Sequence, residues 1–196
     1  MVDPSIDFSL KEKLGGRNLY LVGMMGSGKS YTGPLLAKTL DYAFVDSDLV
    51  IEKASGKTIQ EIFDLDQEKG FRKLEHQVLS EIGQHHSLVV ATGGGVVTIP
   101  ENWSILHQGI VIWIETAREI ALERLHSQGS KRPLLSSDEL EKDFDYLFSQ
   151  RKALYAESDL HVNIGAESGK EVTDKILINL ESILIPRKDL NEPRTS

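Results

Sequence analysis

The chain has 196 residues and 40% hydrophobic content, suited to one domain around a single core. With 30 acidic and 22 basic residues its formal net charge is -8, which removes the broad basic footprint of a nucleic-acid binder and leaves any anion to a local cluster of donors. It has no cysteine, so disulfide scaffolds, thiolate zinc sites and cysteine nucleophiles are excluded, and the reducing interior of a cell is the expected setting.

Met1 to Lys13 is charged and lacks the apolar core of a secretory signal. No later apolar run approaches the ~20 residues of a bilayer span, so no membrane is expected. The expected location is the cytoplasm, or the plastid stroma if a transit peptide has been removed. Residues 1–16 read as an N-terminal extension, residues 17–184 as one domain and residues 185–196 as a tail, frayed from Pro186 onward.

Within the domain, short apolar runs alternate with longer amphipathic ones, the pattern of an α/β fold with a parallel sheet. The expected strands are Leu19 to Val22, Ala43 to Val45, Leu88 to Ala91, Ile110 to Ile114 and Leu160 to Ile164, short and apolar as strands buried on both faces are. Helical patterns cover Lys29 to Leu40, Leu49 to Ala54, Ile59 to Phe63, Phe71 to Ile82, Ala117 to Leu125, Leu140 to Tyr155 and Lys170 to Leu184. In Phe71 to Ile82 the apolar residues recur at three and four positions, which predicts a core-facing helix. Gln128 to Asp138 is polar and broken by Gly and Pro, and reads as irregular.

The strongest chemical signal is Gly23-Met24-Met25-Gly26-Ser27-Gly28-Lys29-Ser30, which follows the first strand and opens the first helix, the setting that a Walker A sequence requires. Glycines let the loop wrap phosphates closely with its backbone N–H groups turned inward. The following helix adds its positive end. Lys29 would reach the β- and γ-phosphates, and the Ser30 hydroxyl would coordinate magnesium. Pro34 falls past the first turn, where its missing N–H predicts a local kink.

A phosphate cradle serves GTPases, ATPases and kinases alike, so the other motifs must decide. Asp46-Ser47-Asp48 ends the second strand, on the side where parallel sheets bind ligands. One carboxylate is expected to face magnesium and the other an acceptor hydroxyl; the rival reading makes Asp48 the cap of a helix beginning at Leu49. Gly93-Gly94-Gly95 ends the third strand and would let a ring lie against bare backbone. Arg72 at an expected helix start, and Arg151 before the last strand, offer planar forks that fit a carboxylate; a solvated surface ion pair is the plainer account of either alone. None of the six histidines falls at metal-ligand spacing.

Gly23 to Ser30, Asp46-Ser47-Asp48, Gly70-Phe71-Arg72, Gly93 to Gly95, Arg132-Pro133-Leu134-Leu135 and Arg151 with Ala153-Leu154-Tyr155 occur in the order and approximate spacing of the shikimate kinase motifs, and from about Arg17 to Leu184 the chain resembles that family. The resemblance implies a P-loop, nucleoside-monophosphate-kinase-like fold with five parallel strands flanked by helices. It implies transfer of the ATP γ-phosphoryl to the 3-hydroxyl of shikimate, giving shikimate 3-phosphate and ADP, a step toward chorismate and the aromatic amino acids. Residue by residue, Asp48, Arg72, Gly93, Gly94, Gly95 and Arg151 would hold shikimate, with Glu75 supporting Arg72. Gly26, Ser27, Gly28, Lys29, Ser30 and Tyr31 would hold ATP, with Mg2+ on Ser30 and, through water, on Asp46. Residues 128–138 would form a mobile lid that excludes water and brings Arg132 to the phosphoryl group. Lys29, Asp48 and Arg132 would then be catalytic, and a monomer is expected.

Tyr31 and Pro34 depart from the pattern, standing where a small hydroxyl residue and a basic residue are common. A sugar-acid kinase such as a gluconate kinase shares the cradle, and its substrate's carboxylate would suit the same arginines. A non-catalytic ATP-binding module would be expected to have lost Lys29, Asp48 or Arg132, all of which are present, and a GTPase switch would need an Asn-Lys-x-Asp sequence, which is lacking.

Overall fold

A computed structural model describes residues 10–128, 133–134 and 139–184. Five strands form one parallel sheet: β1 (Leu19–Val22), β2 (Ala43–Asp46), β3 (Leu88–Ala91), β4 (Ile110–Thr116) and β5 (Leu160–Ile164), in the order β2-β3-β1-β4-β5. β1 lies at the centre, pairing Leu19 with Val89 on one side and Ile110 on the other. The helices are α1 (Lys29–Leu40), α2 (Ser47–Ser55), α3 (Ile59–Gly83), α4 (Pro100–Leu106), α5 (Arg118–Gln128), α6 (Leu140–Tyr155) and α7 (Gly169–Ile183).

The two-residue period of the strands builds a core on each face of the sheet. From β1, Leu19 and Leu21 enter a cluster with Leu36 and Leu40 of α1 and Ile176 and Leu180 of α7. Tyr20 and Val22 enter the opposite cluster, with Leu79 of α3, Trp103 of α4 and Phe144 and Tyr155 of α6. Each such buried side chain contributes about 1.5–3 kcal/mol, so the central strands are the firmest ground in the molecule. Leu10 and Leu14, read from sequence as part of an extension, are fully buried in the first cluster.

The expected five-stranded parallel sheet is present, and three local expectations change. α1 runs unbroken from Lys29 to Leu40 through Pro34. The helical patterns at Ile59 to Phe63 and Phe71 to Ile82 are two helical stretches, as expected, which meet within α3 at Gln67, whose non-helical φ of 57° and ψ of -176° suit glycine rather than a side chain. Arg72 therefore lies five residues beyond the break, near the start of the second stretch. α2 begins at Ser47 with Asp46 as its N-cap, so Asp48 belongs to the first turn and does not cap a helix at Leu49. α4 was not expected; Pro100 occupies its first turn, where a proline's missing N–H costs nothing.

Candidate active site

The loop after β1 is shaped by close backbone approach. Gly23 has a φ of 140°, and a Cβ there would lie 2.3 Å from the Ile114 carbonyl oxygen of β4. The turn closes through a hydrogen bond from the Ser27 N–H to the Met24 carbonyl, and Gly28, at φ 91°, is the N-cap of α1. No acidic residue occupies the first turn of α1, so its positive end faces the loop unneutralised by its own helix. Lys29 arches back over the loop, its Nζ donating to the carbonyls of Gly23 at 2.7 Å and Met24 at 2.9 Å. The ammonium is thus held at the loop's mouth by these backbone carbonyls.

Asp46 divides its carboxylate between two tasks. Oδ1 accepts from the backbone N–H groups of Asp48 and Leu49, capping α2, while Oδ2 accepts from the Ser30 hydroxyl at 2.7 Å. The strand-end position puts Asp46 beside the phosphate loop, and the cap turns the chain so that Asp48 rises from α2 toward the glycine triplet.

That triplet is filled by side chains more than expected. A Cβ on Gly93 would lie 2.7 Å from Glu75 Oε1 and 2.9 Å from Asp48 Oδ1, so Gly93 lets two carboxylates approach the same spot. A Cβ on Gly95 would lie 2.1 Å from Arg72 Nη2, so the Arg72 guanidinium rests flat on its backbone. Gly94 has ordinary room, facing the Gly23 carbonyl and, at 3.7 Å from its Cβ position, Arg151 Nη1. The glycines first make space for the site's own charged groups.

Arg72 is held at two edges. Its Nη1 donates to Glu75 Oε2 at 2.7 Å, and its Nε and Nη2 both donate to Glu68 Oε1, at 3.2 and 2.9 Å. Burial opposes the guanidinium's charge, but the Glu75 and Glu68 carboxylates outweigh it and raise its pKa. Burial pushes the Glu75 carboxyl above its ordinary range, although Arg72 beside it pulls the other way. Glu75 Oε1 is buried and has no hydrogen-bond partner among the described residues, consistent with a carboxyl that ionises reluctantly. Arg151, on α6, is 3% exposed. One turn on, burial pushes the Tyr155 hydroxyl up to about 12, and it donates to the Gly94 carbonyl.

One cleft of about 490 Å3 joins most of these groups, lined by Gly26, Gly28, Lys29, Ser30 and Tyr31 and by Asp48, Arg72, Glu75 and Arg151, with Gly93 to Gly95 between; Glu68 and Tyr155 support it from outside the lining. Ser27 is an exception among the expected nucleotide residues: it is 1% exposed, its N–H is used inside the loop and its Oγ accepts from Lys29. Arg132 and most of the expected lid lie outside the described residues, while Pro133 and Leu134 line the cleft. Sequence reasoning missed Arg124, whose Nη1 donates to the Gly26 carbonyl at 3.1 Å at the nucleotide end. It lies in an ordinary amphipathic pattern on α5 and carries no local signal. Glu68 likewise gave no cue of its own, and Tyr155 appeared only within the Arg151 motif, with no role attached to it.

A sequence model of the shikimate kinase family matches residues 25–181. The chain is 58% identical over 184 residues to a shikimate kinase of Prochlorococcus marinus (strain MIT 9211), covering 94% of this chain and 93% of that one. Its fold is similar to that of a shikimate kinase from Acinetobacter baumannii solved in complex with shikimate, with a TM-score of 0.83 at 36% identity over 88% of this chain and 97% of that one. A gluconokinase from Sinorhizobium meliloti shares the fold at a TM-score of 0.57 and 14% identity, covering 90% of this chain and 98% of that one. Identity at this level over nearly the whole chain, with the family match spanning both ends of the cleft, means that the chain belongs to the shikimate kinase family.

Proposed function

We propose that the protein transfers the γ-phosphoryl of ATP to the 3-hydroxyl of shikimate. The observation that carries this reading is a single cleft in which a Walker A loop and a carboxylate-sized pair of arginines face each other across Asp48. Either half alone is common; together they define a phosphoryl donor site beside an acidic acceptor site.

The loop's N–H groups, the N-terminus of α1 and the Lys29 ammonium bind the triphosphate and neutralise charge on the phosphoryl oxygens, the contribution that dominates such transfers. The paired Ser30 hydroxyl and Asp46 carboxylate suit magnesium, which takes hard oxygen ligands and few of them from protein. Bound there, Mg2+ would neutralise the β- and γ-phosphates. Arg72 and Arg151 grip the acceptor's carboxylate, and Glu75 fixes Arg72 from behind. The acceptor oxygen attacks the γ-phosphorus, the bond to the ADP oxygen breaks, and the hydroxyl proton passes to Asp48. Arg132 supplies further positive charge from the lid.

A coupled ADP-release assay over a panel of hydroxy acids tests this reading. Release should be strong with shikimate and near background with gluconate, and magnesium chelation should abolish it. Equal turnover of both acids, or turnover of gluconate alone, would remove the shikimate assignment.

A further inference from the structure

The side-on edge of the Arg72 guanidinium is already occupied by a carboxylate oxygen. Glu68 Oε1 accepts from both Nε and Nη2, the side-on edge of the guanidinium. Around the two arginines stand three carboxylates: Glu68 on Arg72, Glu75 on Arg72, and Asp48, whose charge reaches Glu75. An anionic acceptor brought to this cluster adds a fourth negative group to two guanidiniums. Such crowding is costly even with Glu75 reluctant to ionise, and it is relieved where a carboxylate can turn away.

The three differ sharply in their freedom to do so. The Glu75 side chain is 1% exposed and sits in the core-facing wall of α3. Asp48 is needed at the cleft floor, where it approaches Gly93. The Glu68 side chain is 52% exposed and follows directly on the bend at Gln67. It can turn into water, and the loss to the buried Arg72 is offset when the acceptor's carboxylate takes the same edge.

We propose that Glu68 is a displaceable stand-in for the acceptor's carboxylate: it holds the side-on edge of Arg72, leaves when an anionic acceptor arrives, and returns as the product departs. Glu68 thereby sets acceptor affinity and hastens release of an acid that would otherwise leave slowly. This rests on the reading of Arg72 as the carboxylate's partner.

Glu68→Gln removes the competing charge and keeps the shape, and at an exposed position it should not disturb folding. Calorimetry with shikimate and the full-length protein, without nucleotide, should show binding about three- to tenfold tighter, as expected for an ion pair no longer broken on binding. Preference for shikimate over its neutral carboxamide should widen by a similar factor, and KM should fall with kcat unchanged or lower. Unchanged or weaker shikimate binding would overturn the proposal and make Glu68 a support for Arg72. Arg72→Lys separates the two readings. If it leaves shikimate affinity intact, the carboxylate reading falls and the proposal with it; if it weakens binding while Glu68→Gln does not tighten it, only the stand-in role falls.

Discussion

The Tyr155 hydroxyl donates to the Gly94 carbonyl and lies 3.6 Å from the Met24 sulfur, so one buried side chain joins α6 to both the glycine turn and the phosphate loop. Arg151 lies one helical turn before it, and the bond fixes how far that guanidinium stands from Gly94. Tyr155→Phe keeps the ring and strands a carbonyl, at a cost of about 1–3 kcal/mol. Thermal unfolding should show a Tm lower by several degrees, and the KM for shikimate should rise while that for ATP stays close to the parent. An unchanged shikimate KM would mean that the tether serves stability alone.

Lys29→Ala should abolish transfer, and the fold should survive. From sequence alone the lysine reads as a solvent-exposed loop residue with little bearing on stability, but it is only 8% exposed and bonded to the Gly23 and Met24 carbonyls. Its loss should therefore also cost about 1–3 kcal/mol, for charged hydrogen bonds to buried acceptors. Circular dichroism at room temperature should match the parent, with a lower Tm and no turnover. Substantial turnover in the folded variant would remove the cradle assignment.

The sheet was legible because β1 and β3 are short, fully buried apolar runs and β5 keeps apolar residues at alternate positions between exposed His161 and Asn163; these three match their expected bounds to the residue. The phosphate loop was legible because its chemistry is local, set by glycine spacing between a strand and a helix. The acceptor end was only partly so. Arg72, Glu75 and Arg151 came from motif order, whereas the contacts that give them meaning join α3, α6 and the turn after β3, and no local pattern encodes these. The break between the two helical stretches of α3 was expected, but its place at Gln67 was hidden, because a side chain at a glycine-like φ gives no breaker signal. Arg124 and Tyr155 act through backbone carbonyls, which sequence does not mark.

The double duty of Asp46 separates charge from shape. Asparagine caps helices about as well as aspartate, so Asp46→Asn should keep the cap on α2 and leave Tm within about a degree, while weakening the magnesium dependence of turnover. Asp46→Ala should lose both, with about 1 kcal/mol of stability going with the cap. A magnesium titration of activity beside a melting curve checks each variant. An Asp46→Asn enzyme with the parent's magnesium response would place the ion elsewhere.

Burial raises the Glu75 carboxyl above its ordinary 4.5, with Arg72 opposing. A carboxyl whose pKa is raised on folding holds its proton more firmly in the native state, so its stabilising contribution is full below the unfolded value and is lost as pH climbs through the raised folded value. Glu75→Gln cannot titrate and should lack this part of the pH slope. Across melts from about pH 4 to about pH 8, the Tm difference between variant and parent should move steadily in the variant's favour. A flat difference would mean that Arg72 fully offsets the burial.

Arg72 and Arg151 converge on the glycine floor from separate helices, and if both grip one carboxylate their effects must be coupled. Lysine at either position keeps a charge and loses the fork, and should weaken shikimate binding by about 1.5–3 kcal/mol, the usual worth of a charged hydrogen bond. Because one ligand group touches both, the double variant should lose less than the sum. The two should differ in stability: Arg72→Lys also loosens the buried Glu75 and should lower Tm, whereas Arg151 has no carboxylate at ion-pair distance among the described residues and should lower it less. ATP affinity should hardly move in either. Calorimetry with shikimate and its carboxamide supplies the decisive comparison: the parent should prefer the acid strongly and both lysine variants less so. A parent that binds acid and amide alike would show that the arginines do not read a carboxylate, and strict additivity in the double variant would show that they do not read the same one.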